Sequence, residues 1–366
     1  MVDSSRTGKR LITLFVTWKT TLFLVSACAI LLSQNSKAFN HFFDYWLMWD
    51  GLHYWQITKD GYTSLQETAF FPLLPLLTKA LYTIFPFGNI LFWGLVLVSL
   101  STVGLVVVFY RLIRLDYEED IAFRSLVLLL TFPSALFLSA FYTESLFLFL
   151  TVSSFYLARQ KHWFWASFVC ALVTATRPIG IVLAVALIVE YLMSVKFRLK
   201  RKNYSWLWLL VAPLGLVAYS SYLTFAFKNP LAFFIVQSDW QRGLSDYPWQ
   251  IIYQDIIQIF QMNPPAPFLL SKLADFISSI LFLALLVPVF RKLRLSYFIY
   301  AYGVLMVPLL TGVTTSMFRF VLAAFPMFII GGILAKDELF YTGMLLVNIS
   351  LLVIFTVLFI SGYWVA

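Results

Sequence analysis

The chain has 366 residues, of which 61% are hydrophobic and only 12% charged, where a soluble chain carries about 25% charged residues. Its formal net charge of +9 does not point to nucleic acid, because the basic residues stand singly or in short clusters between apolar runs and so read as topology signals. The apolar runs are continuous, without alternation of period two. That excludes a closed β-barrel and gives the fold class as an all-α polytopic membrane protein.

A hydrocarbon core of about 30 Å needs roughly 20 apolar residues per helical span. In chain order the sequence predicts eleven spans, near 11–33, 89–110, 120–141, 145–159, 162–176, 178–195, 204–227, 269–290, 296–312, 319–335 and 340–362. The first is a retained span, since no small-residue cleavage site stands out near Ser36. With the N-terminus inside, 17 Lys and Arg residues fall on the cytoplasmic side and 8 outside, with Lys19 within the first span. This orientation is therefore preferred.

Residues 69–87 are apolar enough to span but hold Pro72, Pro75, Lys79 and Pro86. Were they to span, Arg111, Arg114 and the Lys196 to Lys202 cluster would face outward. The segment is accordingly predicted as an interfacial helix on the outer leaflet. Two long extracytoplasmic loops follow from this topology, 34–88 and 228–268. The first is dense in aromatic residues suited to the membrane boundary. The second carries Gln237, Asp239, Trp240, Arg242, Asp246, Tyr247 and Trp249. Cys28 and Cys170 both lie in apolar stretches and read as packing residues.

Ionisable residues are scarce enough here to be weighed one by one. Asp50 follows the first span in Met48-Trp49-Asp50-Gly51-Leu52-His53. At a partly dehydrated interface its carboxylate can serve as a base, although a lone interfacial Asp can equally cap a helix. His53, three residues on, shares its helix face. Glu144 sits in the tight outer turn Phe141-Tyr142-Thr143-Glu144-Ser145, again a capping position. Arg177 and Arg319 stand at the outer ends of spans, where the positive-inside rule makes arginine the exception. Guanidinium forks suit phosphate oxygens, and snorkelling to headgroups is the plainer alternative. Two acids and two arginines on one aqueous rim suit attack on a phosphate-linked group. Three histidines give no zinc spacing. No cofactor is indicated, and a divalent metal held by Asp44, Asp50 or Glu144 stays open.

Taken in order, Trp49-Asp50, Asp60-Gly61-Tyr62, Ala69-Phe70-Phe71-Pro72-Leu73-Leu74-Pro75, Phe132-Pro133-Ser134-Ala135, Tyr142-Thr143-Glu144-Ser145, Thr176-Arg177-Pro178 and Arg319-Phe320-Val321-Leu322 resemble the PIG-V, or GPI mannosyltransferase II, family and its prokaryotic relatives. That family is similar to other GT-C glycosyltransferases. The resemblance implies a single GT-C-like transmembrane domain over 1–366 and an inverting glycosyltransferase, as a mannosyltransferase, using a polyprenyl phosphate sugar donor. The acceptor would be a glycolipid, glycan or protein. It implies Asp50 and Glu144 as catalytic acids, with Asp50 as the base, and Arg177 and Arg319 as donor-phosphate ligands. Within the same frame, Trp49, His53, Tyr142, Gln237 and Trp240 would bind substrate. The implied setting is the plasma membrane of a prokaryote, or the ER membrane in a eukaryote, with the site extracytoplasmic and no nucleic-acid partner.

Two other classes compete. A transporter or flippase would place ionisable residues near the bilayer midplane and show repeated halves. No repeat is visible, and Glu190 and Lys19 are the only acid and base expected well inside spans, both near cytoplasmic ends and not at the midplane. A non-catalytic subunit of a glycosyltransferase complex would tolerate neutral substitution of Asp50.

Overall fold

The computed structural model describes residues 4–32, 36–198, 204–240, 242–243 and 265–365, with isolated positions 250, 253, 257 and 259 between. Every described element is helical, as it must be where no water is present to satisfy backbone N–H and C=O groups. Among the described residues, five helices are long and apolar enough to cross a membrane: α1 (Ser4–Leu32), α4 (Ile90–Ile113), Ser205–Phe227, α10 (Ala266–Lys292) and α13 (Glu338–Ile360). The third of these is a 3₁₀ turn leading into α9 (Leu214–Phe227). The chain is a multi-pass membrane protein.

The other apolar runs fold as shorter or broken pieces: α5 (Glu119–Thr131), α6 (Glu144–Arg159), α7 (Trp163–Thr174), α8 (Ile181–Ser194) and α11 (Leu295–Leu309). Proline explains much of the breakage, since it lacks an N–H and clashes with the preceding turn. Pro133 ends α5 in a 3₁₀ segment, Pro133–Leu138, and Pro178 opens the turn before α8. Met317–Ala323 and α12 (Pro326–Leu334) meet at 83° where one run, 319–335, is predicted from sequence. In the first long loop lie α2 (Asp50–Asp60) and α3 (Leu73–Ile84). With 12 residues, α3 is about 18 Å long, less than the thickness of a hydrocarbon core.

α6 sets the axis of the site. Its 16 residues put Glu144 and Arg159 about 22 Å apart, at opposite ends of the bundle. At the Arg159 end, ion pairs clasp the helices. Arg159 bonds both oxygens of Asp116 at 2.6 and 2.7 Å. Glu190 on α8 accepts from Arg294 at 2.7 Å and from the Ser296 hydroxyl at 2.5 Å. Arg124 holds Asp120 at 2.7 Å and also pairs with Glu338. Between the two ends the bundle is filled by apolar side chains such as Phe109, Phe155 and Phe325, all fully buried.

Candidate functional site

The Glu144 end is built from turns. Asp50 is the first residue of α2, where the helix dipole favours a negative side chain. The residue before it, Trp49, has φ 54°, a left-handed backbone that costs of order 1–3 kcal/mol for such a residue. The turn is pinned from below: the Phe141 N–H donates to Trp46 O at 3.0 Å, and the Tyr142 hydroxyl donates to Met48 O at 2.9 Å. Trp49 also packs edge-on against Trp364, centroids 5.2 Å apart.

Arg177 lies between α7 and α8, and its placement depends on α7 meeting α9 closely. Gly215 faces the carbonyl of Ala171 and the N–H of Ala175, with no room for a Cβ. The Thr174 hydroxyl donates to Ala171 O at 2.9 Å and accepts from Leu216 N–H at 3.3 Å. Arg319 rides on the turn Met317–Phe320, whose N-cap residue Ser316 has φ 70°. That turn is held by Asp275 of α10, 3% exposed, which accepts from Ser316 N–H at 3.2 Å and Phe318 N–H at 2.8 Å. Asp275 corrects the sequence expectation that Glu190 and Lys19 are the acid and base inside spans.

These turns bring all four ionic candidates into one network. Arg319 donates to Asp50 Oδ2 at 2.7 Å and has its Nε 3.3 Å from Glu144 Oε1. Arg177 donates to the same Glu144 oxygen at 2.5 Å. Two carboxylates and two guanidinium groups alternate, so the quartet is neutral. Its members differ in access. Glu144 is 2% exposed and lies behind the arginines, whereas the Asp50 side chain is 21% exposed and lines an open cavity of about 530 Å³. Glu144 Oε2 has no hydrogen-bond partner among the described residues.

The cavity has an ionic floor and apolar walls. Asp50, Arg177, Arg242 and Arg319 border it together with Gln237 and Trp240, and Phe234, Ile235, Val304 and Val307 form much of the rest. Of the predicted substrate-binding residues, Gln237 and Trp240 are therefore at the cavity. Tyr142 is fully buried beneath the Asp50 turn, and His53 stacks on Phe70 with centroids 4.4 Å apart, neither bordering the cavity. Trp49 is set to one side on Trp364, which does border it. Tyr54 also faces the cavity. Burial raises its phenol to about 12, so it stays a neutral hydrogen-bonding group. Asp246, Tyr247, Trp249 and Lys200 to Lys202, singled out in the sequence, lie outside the described residues.

Sequence reading missed Arg242 and Asp275 as parts of the site. For Asp275 the signal is its position, the one acid in a long and mostly apolar helix. Arg242 carried none beyond membership of the second loop. Among the described residues no three His, Cys, Asp or Glu side chains converge as metal ligands, and Asp44 pairs with His41 at 3.0 Å.

The fold and site define a multi-pass membrane protein in which acid and arginine side chains meet under an open, partly apolar cavity. Residues 10–261 match the profile of the family described as Mannosyltransferase (PIG-V), well over half of the chain, and the chain belongs to that family. Asp50, Glu144, Arg177, Gln237 and Trp240 fall within the matched stretch, while Asp275, Arg319 and Trp364 lie beyond it. No curated protein sequence matches. Among solved structures, the Archaeoglobus fulgidus oligosaccharyltransferase in its apo form is similar at 14% identity, over 96% of this chain and 56% of that one, with a TM-score of 0.45. The archaeal oligosaccharyltransferase AglB from Archaeoglobus fulgidus, in complex with an inhibitory peptide and a dolichol-phosphate, is similar at 15% identity over 95% and 56%, with a TM-score of 0.42. This chain thus spans a little over half the length of those proteins.

Proposed function

We propose that the protein is an inverting glycosyltransferase, a mannosyltransferase by family, that moves a sugar from a polyprenyl phosphate to a hydroxyl of a glycolipid, glycan or protein on the extracytoplasmic side. The observation that carries this reading is the contrast between the two acids of the quartet. Asp50 opens on the cavity and Glu144 does not. A base must reach the proton it removes, so Asp50 takes that part and Glu144 anchors the two arginines.

In this reading the acceptor oxygen attacks the anomeric carbon as its proton passes to Asp50. The bond from that carbon to the phosphate oxygen breaks, and the phosphate leaves with the electron pair. An anionic leaving group needs electrostatic stabilisation more than a proton. Arg177 and Arg319 border the cavity beside it, and a donor well aimed at the developing charge is commonly worth about 3 kcal/mol. The apolar walls suit the first isoprene units of the donor, and family membership favours mannose as the sugar. Trp240 and Gln237 flank the acceptor.

The test is turnover by the purified protein in detergent, with radiolabelled polyprenyl-phosphate mannose, glucose and arabinose as alternative donors. Asp50→Asn is expected to lower kcat by about 10²- to 10⁴-fold in a protein that still folds and inserts. Near-normal turnover by that variant would remove Asp50 from the role. No turnover by the wild-type protein with any of the three donors would favour a non-catalytic subunit or a transporter. Labelling of a cysteine placed at position 50 by an impermeant reagent, from the extracytoplasmic side only, checks the sidedness.

A further inference from the structure

Three guanidinium groups surround one ring in the cavity. The Phe320 ring centroid lies 5.0 Å from Arg242, 5.3 Å from Arg319 and 5.7 Å from Arg177. Two of the three are already committed. Arg319 donates to Asp50 and stands against Glu144, and Arg177 donates to Glu144. Among the described residues Arg242 forms no ion pair; its side chain donates once, to Thr315 O at 2.5 Å. A guanidinium carries five N–H donors in a planar fork, so most of the donors of Arg242 are left for something else.

Its backbone is fixed for that use. The Arg242 N–H donates to Gln237 O at 3.0 Å, and the next residue, Gly243, donates to Thr311 O at 2.8 Å. The side chain is thus tethered at both ends and backed by a ring, an arrangement that limits the entropy lost on gripping an anion. The cavity that it borders also has Val304, Val307 and Pro308 in its wall, apolar surface beside a cationic fork. Burial, and then the like charge of Arg319, pull the Arg242 guanidinium down to about 10, still cationic at neutral pH. An anion placed among the three arginines would relieve that repulsion.

We propose that Arg242 is the direct ligand of the prenyl-linked phosphate, while Arg177 and Arg319 hold the two carboxylates in place. The proposal rests on the glycosyl-transfer reading above and divides the labour among its arginines. An added phosphate oxygen accepts from the free edge of the Arg242 fork, and the prenyl chain runs along the neighbouring apolar wall. The Asp50–Arg319 pair is left intact while donor binds.

The test compares binding of farnesyl phosphate and of farnesol, the same chain without the anion, to the full-length protein in detergent. Wild type is expected to bind the phosphate more tightly. Arg242→Gln should reduce that preference by about 10- to 100-fold, the worth of hydrogen bonds to a charged group, with farnesol affinity unchanged and the Arg242→Lys variant between the two. Arg242→Gln should also raise KM for the sugar donor far more than it lowers kcat. Unchanged farnesol binding shows that the variant is folded. If Arg242→Gln keeps the wild-type preference and Arg319→Gln loses it, Arg242 is not the ligand and the glycosyl-transfer reading stands. If wild type shows no preference for the phosphate at all, both fall.

Discussion

Glu144 is the member of the quartet whose removal is most informative, because both arginines depend on one of its oxygens. In Glu144→Ala, Arg177 loses a 2.5 Å partner and Arg319 a 3.3 Å one, in a place where their side chains are 13% and 6% exposed. Breaking a buried ion pair by deleting one partner costs about 3–5 kcal/mol, because a charge is left without compensation. For a chain of 366 residues, the usual entropy of unfolding is about 0.8 kcal/mol/K, which turns that cost into a melting shift of roughly 4–6 °C. A helical membrane protein keeps part of its helix when denatured, so its unfolding entropy is smaller and this shift is a floor. The assay is thermal unfolding in detergent, followed by tryptophan fluorescence. Glu144→Gln keeps an acceptor and the side-chain volume, and should lose less. In the Glu144→Ala background, Arg177→Met should cost less than in the parent by about 2 kcal/mol, the coupling expected of groups in one network. A Glu144→Ala protein that melts within 1 °C of the parent, with a coupling near zero, would show that the quartet is not a stabilising unit and would refute the reasoning.

Asp275→Ala leaves the N–H groups of Ser316 and Phe318 unpaired, at about 1–3 kcal/mol each, and releases the turn that carries Arg319. Turnover should fall with stability, and Asp275→Asn, which keeps one acceptor, should recover part of both; full activity in Asp275→Ala would detach that turn from the site. Gly215→Ala should lower the melting temperature by the cost of overpacking, about 1–3 kcal/mol, since its Cβ would meet backbone atoms of α7. Because α7 leads into Arg177, donor KM should rise as well, and an unaltered KM would separate the packing from the site.

Much of the site was legible because charge is rare in this chain. With 12% charged residues among 61% hydrophobic ones, Asp50, Glu144, Arg177 and Arg319 stand out at the ends of apolar runs, and the geometry brings them together. What sequence could not show was depth. Glu144 and Asp50 look alike as acids at span ends. Their difference arises because Tyr142 is drawn under the Asp50 turn by its bond to Met48, which carries the next residues inward. Arg242 was invisible for a related reason: its value lies in its distance from Phe320, 78 residues away in the chain. Where the helices break was hidden by a local effect. Continuous hydropathy runs across Pro133 and Pro326, while the helices break there. Those same breaks supply the site. An unbroken helix satisfies its own backbone and presents side chains to its neighbours along one stripe, but the ends and turns left by proline present Glu144, Arg177 and Arg319 toward a common point. Four charges can be held at the end of an apolar bundle only if they alternate in sign and stay hydrogen-bonded, so the turns that break the spans and the network that fills them depend on each other.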